Sequence, residues 1–92
     1  MATVRLRALV EGRVQGVYFR DFTRQEAERL GLSGWVRNLK NGAVEAEYQG
    51  PEAEVKCLTA WLHQGSPRAQ VLRVQTWPCP PLTEESGFLV RY

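Results

Sequence analysis

The sequence predicts an α+β fold in which one antiparallel sheet carries two helices on one face. Three observations favour this class: apolar and polar residues alternate over several short segments, apolar residues recur at helical spacing in two others, and an Asn-Gly pair separates two alternating segments. Side chains of a strand point alternately to the two faces of a sheet, so alternation indicates strands with one buried face. In chain order the segments are strand, helix, strand, strand, helix and strand.

The first strand is indicated by Val4, Leu6, Ala8 and Val10, which alternate with charged or polar neighbours. The two helices are indicated by recurring apolar residues, most clearly in the second half of the chain. The predicted elements are a strand Thr3 to Glu11, a loop Gly12 to Phe19, a helix from about Arg20 to Leu30 with Phe22, Ala27 and Leu30 apolar, strands of about Gly34 to Lys40 and Ala43 to Gln49, a helix from Pro51 to before Gly65 with Val55, Leu58 and Leu62 apolar, a strand of about Ala69 to Trp77, and a final strand Phe88 to Tyr92.

Glycine, proline and asparagine set the boundaries of these elements. Gly31 ends the first helix, Pro51 suits the first turn of the second, and Gly65 with Pro67 ends it. The pair Asn41-Gly42 is the one that a two-residue type I′ hairpin prefers, so we predict that turn between the second and third strands.

The end of the chain predicts one more strand. Pro78-Cys79-Pro80-Pro81 interrupts the fourth strand, and Phe88, Val90 and Tyr92 then alternate with other residues. Because proline cannot continue a central ladder, we predict a short C-terminal edge strand after this break. The order βαββαβ plus a final strand is typical of a ferredoxin-like sandwich, here a single domain over residues 1–92.

Composition excludes several classes of function. The net charge is only +2, with twelve basic residues scattered among ten acidic ones, so no polyanion-binding surface is expected. An RNA-binding sandwich is also disfavoured, because its aromatic strand motif is missing. The alternating N-terminus is not a signal peptide and no segment approaches a membrane span, so we expect a cytoplasmic protein without a membrane partner, acting as a monomer.

The low content of cysteine and histidine disfavours a bound metal ion. Cys57 and Cys79 allow one disulfide at most, and none is expected in the cytoplasm. Two thiols and the single His63 make a poor zinc set, so no metal and no cofactor are expected. His63 stands near the predicted end of the second helix, where a histidine interacts favourably with the helix dipole.

The loop Gly12-Arg13-Val14-Gln15-Gly16-Val17-Tyr18-Phe19-Arg20 is the strongest candidate for a binding site. Glycines between a strand and a helix let several backbone N–H groups face one anion, and a helix start attracts negative charge. The loop lacks the Gly-Lys-Ser/Thr of ATP-binding loops and the glycine spacing of dinucleotide-binding loops. Arg20 could bind two phosphate oxygens, although the pattern alone equally allows an ordinary exposed helix residue.

Asn38 is the second candidate. It interrupts a strand-like segment, where asparagine is disfavoured unless its amide has a local purpose. From propensity alone, a hydrogen-bonded strand residue remains the plainer interpretation.

The loop together with Gly34-Trp35-Val36-Arg37-Asn38 resembles the acylphosphatase family, whose two signatures are both complete here. The likeness covers nearly the whole chain. It implies a hydrolase acting on acid anhydrides, with an acyl phosphate as substrate and inorganic phosphate as product. It implies that Arg20 holds the phosphoryl group and Asn38 orients the attacking water. The backbone of Gln15, Gly16, Val17, Tyr18, Phe19 and Arg20 is then expected to supply the remaining contacts to phosphate oxygens.

The residue types suit that chemistry. The leaving group of an acyl phosphate is a carboxylate with a pKa of about 4, which departs at neutral pH without a general acid. Phosphoryl transfer then needs mainly positioning and hydrogen-bond donors. The alternative is a catalytically silent phosphoryl- or anion-binding domain, for which Asn38 has no evident use.

Overall fold

A computed structural model describes residues 2–92. The predicted order of elements is confirmed, and within the described residues no helix is long and apolar enough to cross a membrane. The elements are β1 (Thr3–Arg13), α1 (Phe19–Arg29), β2 (Ser33–Asn38), β3 (Val44–Pro51), α2 (Glu52–Gln64), β4 (Gln70–Cys79) and β5 (Phe88–Arg91).

The strands form one sheet in the order β4-β1-β3-β2-β5. β1 pairs antiparallel with β3 and β4, and β2 pairs antiparallel with β3. The predicted C-terminal edge strand is confirmed, but β5 pairs parallel with β2, from Gly34 opposite Phe88. β4 ends beside the start of β1, and residues 80–87 lead from that edge to the opposite one, so β5 starts at the same end of the sheet as β2 and runs in the same direction. The sheet is therefore mixed.

The fourth strand extends beyond its predicted end at Trp77. β4 continues through Pro78, which lies opposite Leu6, to Cys79. The proline is tolerated because β4 is an edge strand, where a missing N–H costs no ladder hydrogen bond.

The predicted two-residue type I′ turn at Asn41-Gly42 is wrong. The N–H of Leu39 donates to the carbonyl of Ala43 (2.8 Å) and the N–H of Gly42 donates to the carbonyl of Leu39 (3.2 Å), which closes a three-residue loop over residues 40–42. A type I′ turn needs positive φ at both central residues, but only Gly42 has it, at +95°. The side chain of Asn41 instead accepts a hydrogen bond from the N–H of Ala43 (3.0 Å), so it caps the turn.

Both helices cover one face of the sheet, as predicted. β1 contributes Ala8 and Val10 to the core, β3 contributes Val44, Ala46 and Tyr48, and α2 contributes the predicted Val55, Leu58 and Leu62. In α1 the buried residues are Phe19, Thr23 and Ala27, while Phe22 and Leu30 are half-buried. The fully buried Tyr48 hydroxyl bonds Thr59 (2.6 Å), and burial raises the pKa of Tyr48 to about 12.

The opposite face, which we call the open face, carries charged pairs. Glu45 accepts hydrogen bonds from Arg7 (2.6 Å) and Arg37 (2.7 Å). Burial acts to raise the pKa of Glu45, but these two arginines outweigh it and hold the pKa below its ordinary value of 4.5. The Arg37 and Arg91 guanidinium groups both stack on Trp35, at 5.3 and 4.7 Å from the ring centre.

A second group of polar contacts on the open face holds the connection 80–87. Arg5 donates to Glu85 (2.6 and 3.2 Å), to Glu47 (2.8 Å) and to Gln49 (2.9 Å). The Gln49 amide in turn pairs with both backbone polar groups of Leu82 (2.7 and 2.8 Å). The segment that leads from β4 to β5 is therefore fastened to β1 and β3.

Candidate active site

The phosphate-loop candidate, residues 14–18, joins β1 to α1 in a backbone conformation that few residues adopt. Gly16 has a φ of +74°, and Tyr18 is left-handed as well, with φ 59° and ψ 27°. Tyr18 is the one non-glycine residue with positive φ among residues 2–92. It is followed at once by the right-handed helical Phe19, and such a change of hand turns successive N–H groups toward one side. We therefore expect the N–H groups of this loop to face one side, toward the cleft that Gly16 and Tyr18 line.

Within residues 2–92, these amides donate no turn or loop hydrogen bond to the backbone. No N–H group of residues 15–20 donates a turn or loop hydrogen bond in the described part of the chain, since the first such donor is Phe22, which bonds the carbonyl of Tyr18 (3.0 Å). The first N–H groups of any helix lack intrahelical partners and form the positive end of its dipole. An anion at this position can accept several hydrogen bonds without displacing any that exist.

A cleft of about 340 Å³ opens beside the loop. Asp21 carries the one carboxylate side chain on the described wall, and a hard cation takes several oxygen ligands, so these side chains suit an anion better than a metal. Of the residues predicted from the sequence, Gly16, Tyr18, Phe19, Arg20 and Asn38 line the cleft, and Gln15 and Val17 do not. The complete lining is Val14, Gly16, Tyr18, Phe19, Arg20, Asp21, Asn38 and Tyr92.

Arg20 is held by the C-terminal end of β5. Its Nη1 donates to the backbone carbonyl of Arg91 (2.9 Å), and its guanidinium lies 4.5 Å from the centre of the Tyr92 ring. Arg20 forms no ion pair with a carboxylate among residues 2–92, so the structure aims its charge without neutralising it. Sequence reasoning missed the contribution of Arg91 and Tyr92, because they are separated from Arg20 by 71 and 72 positions and no local signal links them.

Asn38 is the last residue of β2 and reaches the same cleft from the sheet. Its Oδ1 is buried and has no hydrogen-bond partner among the described residues. A buried acceptor without a partner lowers the free energy of unfolding by about 1–3 kcal/mol, and such groups are rare in native proteins. A half-turn of the side-chain amide exchanges Oδ1 and Nδ2, so this residue can present an acceptor or a donor to the cleft.

Gln15 points its side chain away from the cleft and toward the β2–β3 hairpin. Its Nε2 donates to the carbonyls of Leu39 (2.7 Å) and Ala43 (2.9 Å). The sequence predicted a role only for the backbone of Gln15. Nothing in the local pattern reveals which way a glutamine beside a glycine will turn.

His63 lies in the last turn of α2, as predicted. Its Nδ1 is 3.1 Å from the carbonyl oxygen of Thr59, one turn earlier in the helix. The imidazole is not part of the cleft wall.

Comparison with known proteins agrees with the resemblance noted above. A family model described as Acylphosphatase matches residues 6–90. An acylphosphatase of Pseudomonas paraeruginosa is 54% identical over 91 residues, which are 99% of both chains. The fold is similar to two solved structures, those of acylphosphatases from Bacillus subtilis and Coxiella burnetii, with TM-scores of 0.92 and 0.91. The Bacillus subtilis protein is 35% identical in sequence, and the match covers 97% of this chain and 99% of that protein. The Coxiella burnetii protein is 39% identical, and the match covers 97% of this chain and 93% of that protein. The chain belongs to the acylphosphatase family.

Proposed function

We propose that this protein hydrolyses the carboxyl-phosphate bond of acyl phosphates, giving a carboxylate and inorganic phosphate. The observation that carries the proposal is the meeting of three groups on one cleft: loop amides without turn or loop hydrogen bonds, Arg20 without an ion pair, and Asn38 with an unpartnered Oδ1, all within residues 2–92. In this proposal the phosphoryl group lies against the backbone of residues 15–20 and the Arg20 guanidinium, and Asn38 orients the water that attacks phosphorus.

Phosphoryl binding rests on donors that are already in place. Hydrogen bonds from charged groups contribute about 1.5–3 kcal/mol each, and preorganised amides need no reorientation during the reaction. Arg20 keeps one N–H on the Arg91 carbonyl, which fixes the plane of the guanidinium and leaves its other N–H groups for phosphate oxygens.

Asn38 suits the role of orienting water for an electrostatic reason. A carboxylate base beside a phosphate dianion would be repelled, whereas a neutral amide oxygen can accept a hydrogen from water and direct the water lone pair toward phosphorus. Because Oδ1 is buried, the proposal includes the half-turn of the amide that exchanges Oδ1 and Nδ2, after which the oxygen accepts from the water.

The bond changes need no covalent intermediate. The water oxygen forms a bond to phosphorus while the bond between phosphorus and the acyl oxygen breaks, and the electron pair leaves with the carboxylate. That leaving group has a pKa of about 4, so it departs without a proton. We assign the proton lost by the water to an oxygen of the substrate's own phosphoryl group. With this assignment, the reaction needs no side-chain base.

The oligomeric state, the cellular location and the absence of other partners belong to the same proposal. We propose that the enzyme acts as a monomer and that residues 1–92 form a single domain, in which one sheet and one core join all the elements. A net charge of +2 gives no reason to invoke nucleic acid, and we propose a cytoplasmic enzyme that works without metal and without a membrane partner.

A catalytically silent phosphoryl-binding domain is the second candidate, because the same amides and Arg20 would bind phosphate without any reaction. It leaves the buried Oδ1 of Asn38 without a purpose. Activity of wild type against Asn38→Ala separates the two candidates.

The test is hydrolysis of benzoyl phosphate in excess EDTA, followed by the loss of ultraviolet absorbance. We expect EDTA-resistant turnover by the wild type, a large fall in kcat for Asn38→Ala with phosphate inhibition nearly unchanged, and weaker substrate and phosphate binding together for Arg20→Gln. Arg24→Gln, one turn further along α1, and Lys40→Ala, at an exposed position of the same hairpin, are the matched controls. Full turnover by folded Asn38→Ala would refute the water-orienting role, and no wild-type turnover with intact phosphate binding would favour the silent domain.

A further inference from the structure

The side chain of Gln15 connects the two halves of the cleft. Nε2 has two N–H groups, and both are used, one on the carbonyl of Leu39 (2.7 Å) and one on that of Ala43 (2.9 Å). Because both neighbours are acceptors, the amide nitrogen must face them, which settles the orientation of the group. These are the only side-chain hydrogen bonds between residues 14–18 and the hairpin within the described part of the chain.

The hairpin does not need Gln15 for its own closure. The carbonyl of Leu39 already accepts from the N–H of Gly42, and the carbonyl of Ala43 already accepts from the N–H of Leu39. Each oxygen therefore uses its second acceptor site for Gln15. The two bonds join separate elements rather than complete one of them.

The two bonds join the loop to Ala43 and to Leu39, and Leu39 directly follows Asn38 in the chain. The loop amides and Arg20 belong to the segment after β1, whereas Asn38 belongs to the end of β2. Phosphorus and the attacking water would thus be held by different parts of the chain. A misplacement of about 1 Å between reacting groups can cost about 100-fold in rate.

We propose that Gln15 is a positioning residue, which sets the distance between the phosphoryl group on the loop and the water on Asn38. This inference rests on the proposed function. The side chain of Gln15 binds the hairpin and is not on the described cleft wall, so we assign it an effect through Asn38 and no contact of its own with substrate or water.

The diagnostic variant is Gln15→Met, which keeps the length of the side chain and removes its donors. We expect kcat for benzoyl phosphate to fall by about 10- to 100-fold, in line with a misplacement of up to about 1 Å. The inhibition constant of inorganic phosphate should change by less than about threefold, because the loop amides and Arg20 remain together on their own segment. Gln25→Met, on the exposed side of α1, is the matched control and should behave as wild type.

A double-mutant cycle with Asn38→Ala distinguishes positioning from general support. If Gln15 acts through Asn38, adding Gln15→Met to Asn38→Ala should reduce kcat no further, whereas independent effects would multiply. Circular dichroism melts establish that each variant is folded at the assay temperature. If Gln15→Met is not folded, Gln15→Asn, whose amide is one methylene too short to reach both carbonyls, carries the same cycle.

The outcomes separate the two proposals. A kcat loss in Gln15→Met that disappears in the Asn38→Ala background supports the positioning role. Wild-type kcat in Gln15→Met, multiplicative losses, or a loss of phosphate affinity as large as the loss of kcat would each overturn it. A folded Asn38→Ala with full turnover would instead refute the water-orienting function itself.

Discussion

Replacing Arg5 by methionine should cost this protein a large share of its stability. The Arg5 side chain is 1% exposed and donates to three residues of the open face and its covering segment: Glu47, Gln49 and Glu85. Methionine retains most of the apolar stem, so the change removes the charge and its hydrogen bonds while leaving little empty space. Without Arg5, the carboxylates of Glu47 and Glu85 lose the cation that they share and repel each other.

The magnitude follows from burial. Breaking a buried ion pair by removing one partner costs about 3–5 kcal/mol, because the remaining charge is left unpaired. The Glu47 and Glu85 side chains keep 25% and 17% of their exposure, so partial solvation places the loss near the lower end, at about 3 kcal/mol. Total stabilities of small domains are about 5–15 kcal/mol, so this loss should be easy to detect.

Urea denaturation followed by tryptophan fluorescence measures the effect. With a slope of about 1–3 kcal/mol/M, the midpoint should fall by about 1–3 M. Arg24→Met is the control, because its pair with Glu28 is largely exposed and contributes about 0.5 kcal/mol or less. Adding Glu85→Gln to Arg5→Met should restore part of the loss. A midpoint shift no larger than that of Arg24→Met would refute the view that Arg5 holds the segment 80–87 in place.

Two further predictions concern charge and the cleft mouth. The folded pKa of Glu45 is lowered, so its contribution to the free energy of unfolding is complete above about pH 4.5 and is lost as pH falls through the folded pKa. In Glu45→Gln, urea midpoints measured across that acid range should depend less on pH than in wild type, and an equal dependence would show that Glu45 makes no such contribution. Tyr92→Ala removes the ring that stacks on Arg20, a contact of about 0.5–1 kcal/mol at an exposed site, so phosphate inhibition should weaken by about two- to fivefold. Tyr92→Phe should not, and equal effects of the two substitutions would show that the ring does not support Arg20.

The sequence was informative where local patterns decide the structure. Alternation predicted β1 because one face of that strand is buried, and helical spacing predicted the three buried residues of α2. The location of the β2–β3 turn was also predictable. Its type was not, because Asn41 uses its side chain to cap the turn and leaves the left-handed conformation to Gly42.

Features of the candidate site were harder to predict, because they depend on contacts distant in sequence or on strain. Nothing marks Tyr18 for a left-handed conformation, which ordinarily favours glycine or asparagine and costs about 1–2 kcal/mol for other residues. The parallel pairing of β5 depends on which end of the sheet the segment 80–87 reaches. The partners of Arg20 and of the Gln15 side chain could likewise be found only once β5 and the hairpin were in position.

The far-edge position of β5 has a consequence for the rate of folding. The contacts that depend on it join residues 71 and 80 positions apart, which gives this small chain many non-local pairings. Closing such long loops is costly before their contacts form, so folding should be slow for the size of the chain. Pairs such as β2 with β3 are close in sequence and can form first, whereas β5 has to wait for β2. We therefore expect Arg20 to gain its contacts with Arg91 and Tyr92 late in folding, so that phosphate binding recovers more slowly than the secondary structure.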